Sequence, residues 1–416
     1  MRGNQPLHIP VRTIMTPGPV EVDPRVRQAM SHSILGQFDP AFTSIMNETM
    51  QLLREVLQTK NEWAFPIDGT SRAGIEAMLC SVIEEGDKVL IPCFGRFGYL
   101  LKEITERCGA EVTIIEKEWG QVFEPEEIIR ALKKEQPKIL AMVHGDTSTG
   151  RMQPLQEIGK ACRELDILFI VDAVATVGGT DVKTDEWFID GLITGTQKCL
   201  SVPSGMAPLT YNERVENILK ERKSIEQGLI TERSEVNVKR RIKSNYFDLS
   251  QLQDYWSPAR LNHHTEATAM LYGLNEGLKL ILEEGLEQRF ERHRVNEQAL
   301  VAGIKAMGLT LFGDEASKMP TVTCISIPAG VNGEQVRRML LDEFGIEIAS
   351  SFGPLAGKIW RIGTMGYSCQ KRNVLLTLGA LEAVLIASGV SVHRGEAVQA
   401  ALSYYSEALK EERAVL

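Results

Sequence analysis

The chain of 416 residues has no C-x-x-C pair, no apolar run long enough to cross a bilayer, no excess of positive charge, and no internal repeat or low-complexity tract. Each absence removes a class of function. The seven cysteines, Cys80, Cys93, Cys108, Cys162, Cys199, Cys324 and Cys369, are odd in number and widely spaced. Neither a zinc motif nor a disulfide framework is indicated, and reduced thiols in the cytoplasm are the simplest reading. Met1 to Met15 carry no apolar core of the kind a secretory signal needs. The most apolar stretches elsewhere are short or interrupted, as LFIVDAVATV is by Asp172, so no membrane span is expected. A formal net charge of −9 argues against nucleic acid or an anionic membrane as the main partner. A small anion in a locally positive cleft remains compatible with it.

What is present is the mix of a globular protein, 43% hydrophobic and 24% charged, at a length that predicts two domains. From Asp68 to Tyr211, short β-rich runs (KVLIPC, EVTIIE, KILAMV, LFIVDA, GLITGT) alternate with amphipathic stretches such as GIEAMLCSVIEE and EPEEIIRALKKE. Such alternation predicts an α/β fold with a largely parallel sheet covered by helices on both faces. Ligands then gather beyond the carboxyl ends of the strands. A charge-rich excursion follows at 212–244, then a long helical pattern around Thr265 to Glu291. The remainder mixes strands (TVTCISIP, IEIAS, IWRIG) with helices near Gly333–Phe344 and Arg372–Ala387, and ends in a helix from Glu396 to Arg413. The expected organisation is an N-terminal arm over 1–22, a large domain over 23–285 and a smaller α+β domain over 286–416.

The residues that carry chemistry stand just after the strands. Lys198, in GLITGTQKCL, follows an apolar run that ends in small residues. A lysine held in a partly dry site has a lowered pKa and is nucleophilic toward an aldehyde, whereas a solvated strand-end lysine is the ordinary alternative. Asp172 follows four apolar residues, and a carboxylate there is costly to bury unless it is paired. It fits either a helix cap or an anion facing a protonated ring nitrogen. Asp68-Gly69-Thr70-Ser71-Arg72-Ala73-Gly74 precedes a helical pattern, where backbone N–H groups and the helix N-terminus favour an anion such as phosphate, or a simple glycine turn. It is neither a Walker loop nor a dinucleotide fingerprint, and Gly353 to Lys358 falls one residue short of the Walker spacing. Thr147 and Ser148, in HGDTSTG, suit either a ring oxygen or a structuring turn. Phe97, in GRFG, suits a stacking place on a flat ligand or the core. Arg361, in an apolar strand, needs an anionic partner, which a substrate carboxylate or a structural ion pair would supply.

The ordered set TPGP, DGTSRAG, GRFG, HGDTSTG, VDAVATVGG, TGTQK, NHHT and RIGTMG resembles the class V aminotransferases, in their alanine–glyoxylate and serine–pyruvate branch. Any one motif is weakly specific; eight in this order, from Thr16 to about Leu385, are strongly so. The resemblance implies pyridoxal phosphate fold type I, the aspartate-aminotransferase-like arrangement, with pyridoxal 5′-phosphate as cofactor. It implies Lys198 as the Schiff-base lysine and proton shuttle, Asp172 beside the pyridine nitrogen and Val174 on the ring. Phe97 takes the stacking place, Thr147 sits near the ring hydroxyl, and Thr70, Ser71, Arg72 and Gln197 hold the phosphate. Thr265 reaches it from the neighbouring subunit, which implies a homodimer with a shared site, and Arg361 clamps the substrate carboxylate. The partners so implied are an amino donor and a 2-oxo acid in a ping-pong cycle. Two departures from the branch stand out. Asn262 replaces a tyrosine before HHT, and Gln37 replaces a histidine in the loop Gly36-Gln37-Phe38-Asp39-Pro40. Two carboxamides in the substrate region resemble the ureidoglycine–glyoxylate aminotransferases of purine breakdown, so (S)-ureidoglycine is the expected donor, glyoxylate the acceptor, and alanine or serine the alternative donor. The charged stretch from Ser224 to Ser244 looks longer than in close relatives and has no assigned role.

Overall fold

The computed structural model of the chain describes residues 7–230 and 240–415, so part of the charged stretch and the first six residues of the expected arm lie outside the described residues. Seven strands form the main sheet: β1 (Trp63–Asp68), β2 (Lys88–Cys93), β3 (Glu111–Glu116), β4 (Ile139–Val143), β5 (Leu168–Asp172), β6 (Gly191–Ile193) and β7 (Met206–Tyr211). Their order is β1-β7-β6-β5-β4-β2-β3. Strand β7 runs antiparallel to both neighbours, and the other pairs are parallel. The central strands β4 and β5 are buried at every position. That is why they read as continuous apolar runs: helices cover both faces of a parallel sheet.

The five runs expected as strands are strands. The two that sequence reasoning left out, β1 and β7, each contain a proline, which weakens a strand pattern. The structure places Pro66 and Pro208 opposite each other, with β1 at the sheet edge where a missing N–H is tolerated. Helix Pro40–Val56 also escaped the reading. Asp39 caps it by accepting from the Ala41 N–H, Pro40 starts it, and Phe42, Met46, Met50 and Leu53 form its buried stripe.

The single helical pattern expected over 265–291 is two helices, Thr268–Glu284 and Leu286–Ala306. They meet at Gly285, whose φ of 86° is closed to most side chains, so apolar periodicity continues across a break that only the backbone reveals. Past this hinge the chain builds a second core around Leu300, Trp360, Ile362 and Leu381, which Met15 also enters. Its sheet joins β8 (Val322–Ser326), β9 (Ala349–Ser350) and β10 (Ile359–Gly363) in the order β8-β10-β9, antiparallel throughout. Thr13–Ile14 pairs in parallel with Ile346–Glu347, which ties the N-terminal segment to this second unit. No helix among the described residues is long and apolar enough to cross a membrane.

The feature that positions the site is the parallel pairing of β5 with β6, in which Asp172 stands opposite Ile193. Between them the chain forms turns and no helix, and both strands end on one edge.

Phe42 is fully buried at the start of helix Pro40–Val56. Phe42→Ala should destabilise the protein by about 3–5 kcal/mol, from lost transfer energy and the cavity left behind. Urea unfolding reads this as a lower midpoint, and an unchanged midpoint would mean that this helix is not part of the cooperative core.

Candidate active site

A cavity of about 320 Å³ opens at the carboxyl end of the main sheet. Thr70, Ser71, Arg72, Phe97, Thr147, Asp172, Val174, Gln197 and Lys198 line it. The structure therefore brings together residues that sequence reasoning drew from five separate segments. Ser204, Ala175 and Leu100 line it too and were not foreseen, since small and apolar residues carry no distinguishing signal.

One end of the cavity is the start of helix Ser71–Val82. Thr70 occupies the cap position but its side chain makes no capping bond, so the first backbone N–H groups and the Thr70 hydroxyl face the cavity end free of each other. Gln197 Nε2 donates to Ser71 Oγ at 2.7 Å. A Cβ added at Gly195 would overlap that hydroxyl, so the close approach of the 195–197 turn to the helix start requires glycine. Arg72 is exposed beside it. This end is built for an anion.

Asp172 is buried in the middle, where its carboxylate accepts from the Val174 N–H at 3.0 Å. Burial pushes the group up to about 6, against the single backbone bond that pulls it down. Lys198 stands across from it, and its Nζ donates to the Pro17 carbonyl. Burial, and then the Arg361 guanidinium, push the Lys198 amine down to about 8. Gly18 makes room for it: a Cβ there would stand 2.5 Å from Nζ. TPGP thus enters the site as a close backbone neighbour of the lysine.

Asp146, inside HGDTSTG, was given no role from sequence and proves central. Its buried carboxylate accepts from the Phe97 N–H at 2.9 Å, the Ser148 N–H at 2.8 Å and the Ser148 hydroxyl at 2.5 Å. It locks the start of helix Arg96–Arg107, which carries Phe97, to the turn that carries Thr147. The sequence signal was an aspartate two residues before a serine in a run of small residues, which reads only as a turn.

Arg361, on β10, reaches this assembly from the second unit. Its Nη1 donates to the Thr147 carbonyl at 2.8 Å and its Nε to the Ser350 carbonyl at 2.7 Å. The Phe352 ring centroid lies 4.7 Å from the guanidinium carbon. The side chain is buried without a carboxylate partner among the described residues, which pushes its pKa down to about 10. The structural ion pair weighed against a substrate clamp is therefore not formed, and Nη2 is left for an anion.

Four expected residues do not line this cavity: Arg361, which stands behind Thr147, and Gln37, Asn262 and Thr265. Gln37 Nε2 donates to Asn262 Oδ1 at 2.7 Å, so the two carboxamides meet as a pair, and Thr265 is exposed on the same loop as Asn262. Exposed Ile34 and Phe38 flank Gln37.

Comparison with known proteins gives this geometry a context. The family model for aminotransferase class V matches residues 26–361. The (S)-ureidoglycine–glyoxylate transaminase of Bacillus subtilis is 68% identical over 98% of this chain and 99% of its own. The crystal structure of the ureidoglycine–glyoxylate aminotransferase from Bacillus subtilis superposes with a TM-score of 0.92 at 67% identity, covering 97% of this chain and all of that one. The alanine–glyoxylate aminotransferase of Drosophila melanogaster is 34% identical over 93% of this chain and 96% of its own.

In protein freed of any bound cofactor, Lys198 should lose its proton near pH 8. Peptide-resolved modification by an amine reagent across a pH series would show half-maximal reaction there. A midpoint above pH 10, as for an ordinary lysine, would mean that the amine is solvated.

Proposed function

The chain belongs to the class V aminotransferases, and on that premise we propose that it transfers the amino group of (S)-ureidoglycine to glyoxylate, giving N-carbamoyl-2-oxoglycine and glycine. The observation that carries the donor is the near full-length similarity to the Bacillus subtilis transaminase. The Gln37–Asn262 pair gives it a chemical reason. A ureido group is flat, with N–H donors on one side and a carbonyl on the other, and carboxamides match both. We place the reaction in purine catabolism in the cytoplasm, where seven free thiols stay reduced.

Pyridoxal 5′-phosphate is the cofactor, and the cavity residues fit it. Thr70, Ser71, Arg72, Gln197 and the first N–H groups of helix Ser71–Val82 would hold its phosphate, Phe97 and Val174 the two faces of its ring, Asp172 the ring nitrogen and Thr147 the ring hydroxyl. When bound, it supplies an electron-withdrawing ring that takes up the electron pair left at the donor Cα. The protein supplies the rest. Lys198 Nζ, lowered toward neutrality by burial, would be the amine that holds the cofactor and would take and return a proton at the substrate Cα. Asp172 is ionised above about pH 6 and so provides a negative charge at neutral pH. Arg361 fixes the carboxylate of donor and acceptor in turn, which sets the Cα bonds relative to Nζ.

The enzyme acts as a homodimer in which each subunit lends Gln37, Asn262 and Thr265 to the cavity of the other. Their absence from the cavity of their own subunit, together with the apolar Ile34 and Phe38 beside Gln37, supports this reading.

Shared sites can complement each other. Lys198→Ala and Asn262→Tyr should each lose ureidoglycine turnover, the first severely. Mixed after co-expression, they should give about a quarter of parental turnover beyond what the Asn262→Tyr homodimers contribute, because half of the dimers carry one intact site. No such excess would place Asn262 in the same subunit's site as Lys198. The donor is tested by kcat/KM for ureidoglycine over alanine. Asn262→Tyr and Gln37→His should each lower that ratio roughly 2- to 10-fold, the worth of one neutral hydrogen bond. A parent enzyme that prefers alanine, or a ratio unmoved by both changes, would assign the enzyme to alanine–glyoxylate transamination instead.

A further inference from the structure

Beside the cavity lies a second polar cluster that the transamination does not use. Asp68 at the end of β1, and His264 and Glu266 on the loop after Asn262, bring one ligand-type atom each to within 4.8 Å of one another. His264 Nε2 is 3.4 Å from Asp68 Oδ2 and 3.7 Å from Glu266 Oε2. Atoms bound about 2.0–2.2 Å from a shared tetrahedral Zn²⁺ stand about 3.3–3.6 Å apart, a range that the Asp68–His264 separation meets and the His264–Glu266 separation approaches.

Proximity of two carboxylates and an imidazole is common without an ion. Two further observations point to a missing cation. The first is a set of buried polar atoms, Asp68 Oδ1, Glu266 Oε2 and the Tyr255 hydroxyl, that make no well-formed hydrogen bond among the described residues and are pressed on one another, with Asp68 and Tyr255 both against Glu266. Tyr255 is only 4% exposed and packs its ring 4.8 Å from that of His264. Crowding two buried carboxyl groups together in this way is costly.

The second is the hydrogen-bond direction through the two histidines. His263 Nε2 lies 3.4 Å from the Asn245 carbonyl, which can only accept, so that nitrogen carries the hydrogen. Neutral His263 then accepts at Nδ1, where His264 Nδ1 donates across 2.8 Å. His264 Nε2 is then the ring nitrogen that faces the two carboxyl groups. Three ligand-type atoms converge on one point, where a cation would be held by all of them. A metal-bound histidine that donates its other N–H to a fixed acceptor is the usual supporting arrangement.

We propose that Asp68, His264 and Glu266 bind a divalent transition-metal ion, with the Tyr255 hydroxyl closing the fourth side. One imidazole and a small ligand number select Zn²⁺ over Mg²⁺ or Ca²⁺, which demand more oxygens. The ion fastens the loop that carries Asn262 and Thr265 to the end of β1, two residues before Thr70. It thus orders the segment that the substrate reading lends to the partner, but the site itself does not depend on that reading.

The test uses the holoenzyme, stripped by chelator, dialysed and titrated with Zn²⁺ by calorimetry, with Mg²⁺ in parallel and metal content measured by emission spectroscopy. The parent should take up about one Zn²⁺ per chain at this site and gain thermal stability from it. Glu266→Gln and His264→Gln should each weaken binding by more than about tenfold and abolish the thermal shift, and His263→Phe should weaken it about 10- to 100-fold through the lost relay. Asp68→Asn, which can still accept the Ala267 N–H bond seen at 2.9 Å, is the variant that keeps the loop anchored should the others fold poorly. Retained cofactor absorbance certifies folding. No Zn²⁺ uptake by the parent, or uptake equal in parent and all folded variants, overturns the site and leaves the transamination reading untouched.

Discussion

Removal of water from one lysine is the constraint on which the site depends. Lys198 is useful only if its amine spends time neutral at physiological pH, and exclusion from solvent is what lowers it. That exclusion needs the parallel β5–β6 pair to deliver the lysine to the carboxyl edge of the sheet, a glycine at position 18 so that the N-terminal segment can close over it, and a second core to anchor that segment through Thr13–Ile14. The large sheet and the C-terminal unit thus meet around this side chain, and Arg361 on Thr147 ties them there as well. The chemistry lies at the seam because a seam is where an amine can be enclosed yet still be reached by a small substrate.

The same desolvation acts on the neighbouring acids, and the structure treats the two differently. Asp146 is also pushed up by burial, but three donors oppose that push, and it spends its lone pairs on holding two turns together. Asp172 has one donor and rises to about 6, which keeps it both ionised at neutral pH and under-satisfied. A carboxylate with spare acceptor capacity in a dry cavity is poised for a cationic partner, and a protonated ring nitrogen is one. The satisfied aspartate is scaffold, the unsatisfied one is the proposed partner of the cofactor ring, and the number of hydrogen bonds separates them.

The sheet and its edge were legible in the sequence because β4 and β5, covered on both faces, leave unbroken apolar runs, and because Lys198 and Asp172 each violate such a run. The phosphate end was legible because Thr70–Arg72 sits where a loop becomes a helix. Less could be read where meaning lies in contacts across long separations. Asp146 acts on a residue 49 positions earlier, and Gln37 meets Asn262 across 225 positions. Pro66 and Pro208 spoil two strand patterns singly and are acceptable only as an opposed pair next to an edge. The break at Gly285 is a matter of one dihedral angle, to which hydrophobic periodicity is blind.

On the proposed donor assignment, the carboxamide pair would make the donor site selective before any donor arrives. Gln37 gives an N–H to Asn262, but its own carbonyl oxygen is buried without a partner, and the Asn262 amide is exposed with its N–H donors free of protein partners among the described residues. The pair fixes the plane of both groups and leaves one buried acceptor and one exposed set of donors unpaired. A ureido group supplies the complement to each without breaking the bond already present, so the geometry is set in advance and little side-chain freedom is lost on binding. An alanine methyl satisfies neither, and the stranded Gln37 oxygen then remains a cost of roughly 1–3 kcal/mol. Tyrosine and histidine at these two positions would present one ring edge each and no such pair. On this proposal, discrimination against alanine would rest less on the attraction of ureidoglycine itself than on a buried acceptor that alanine leaves unsatisfied.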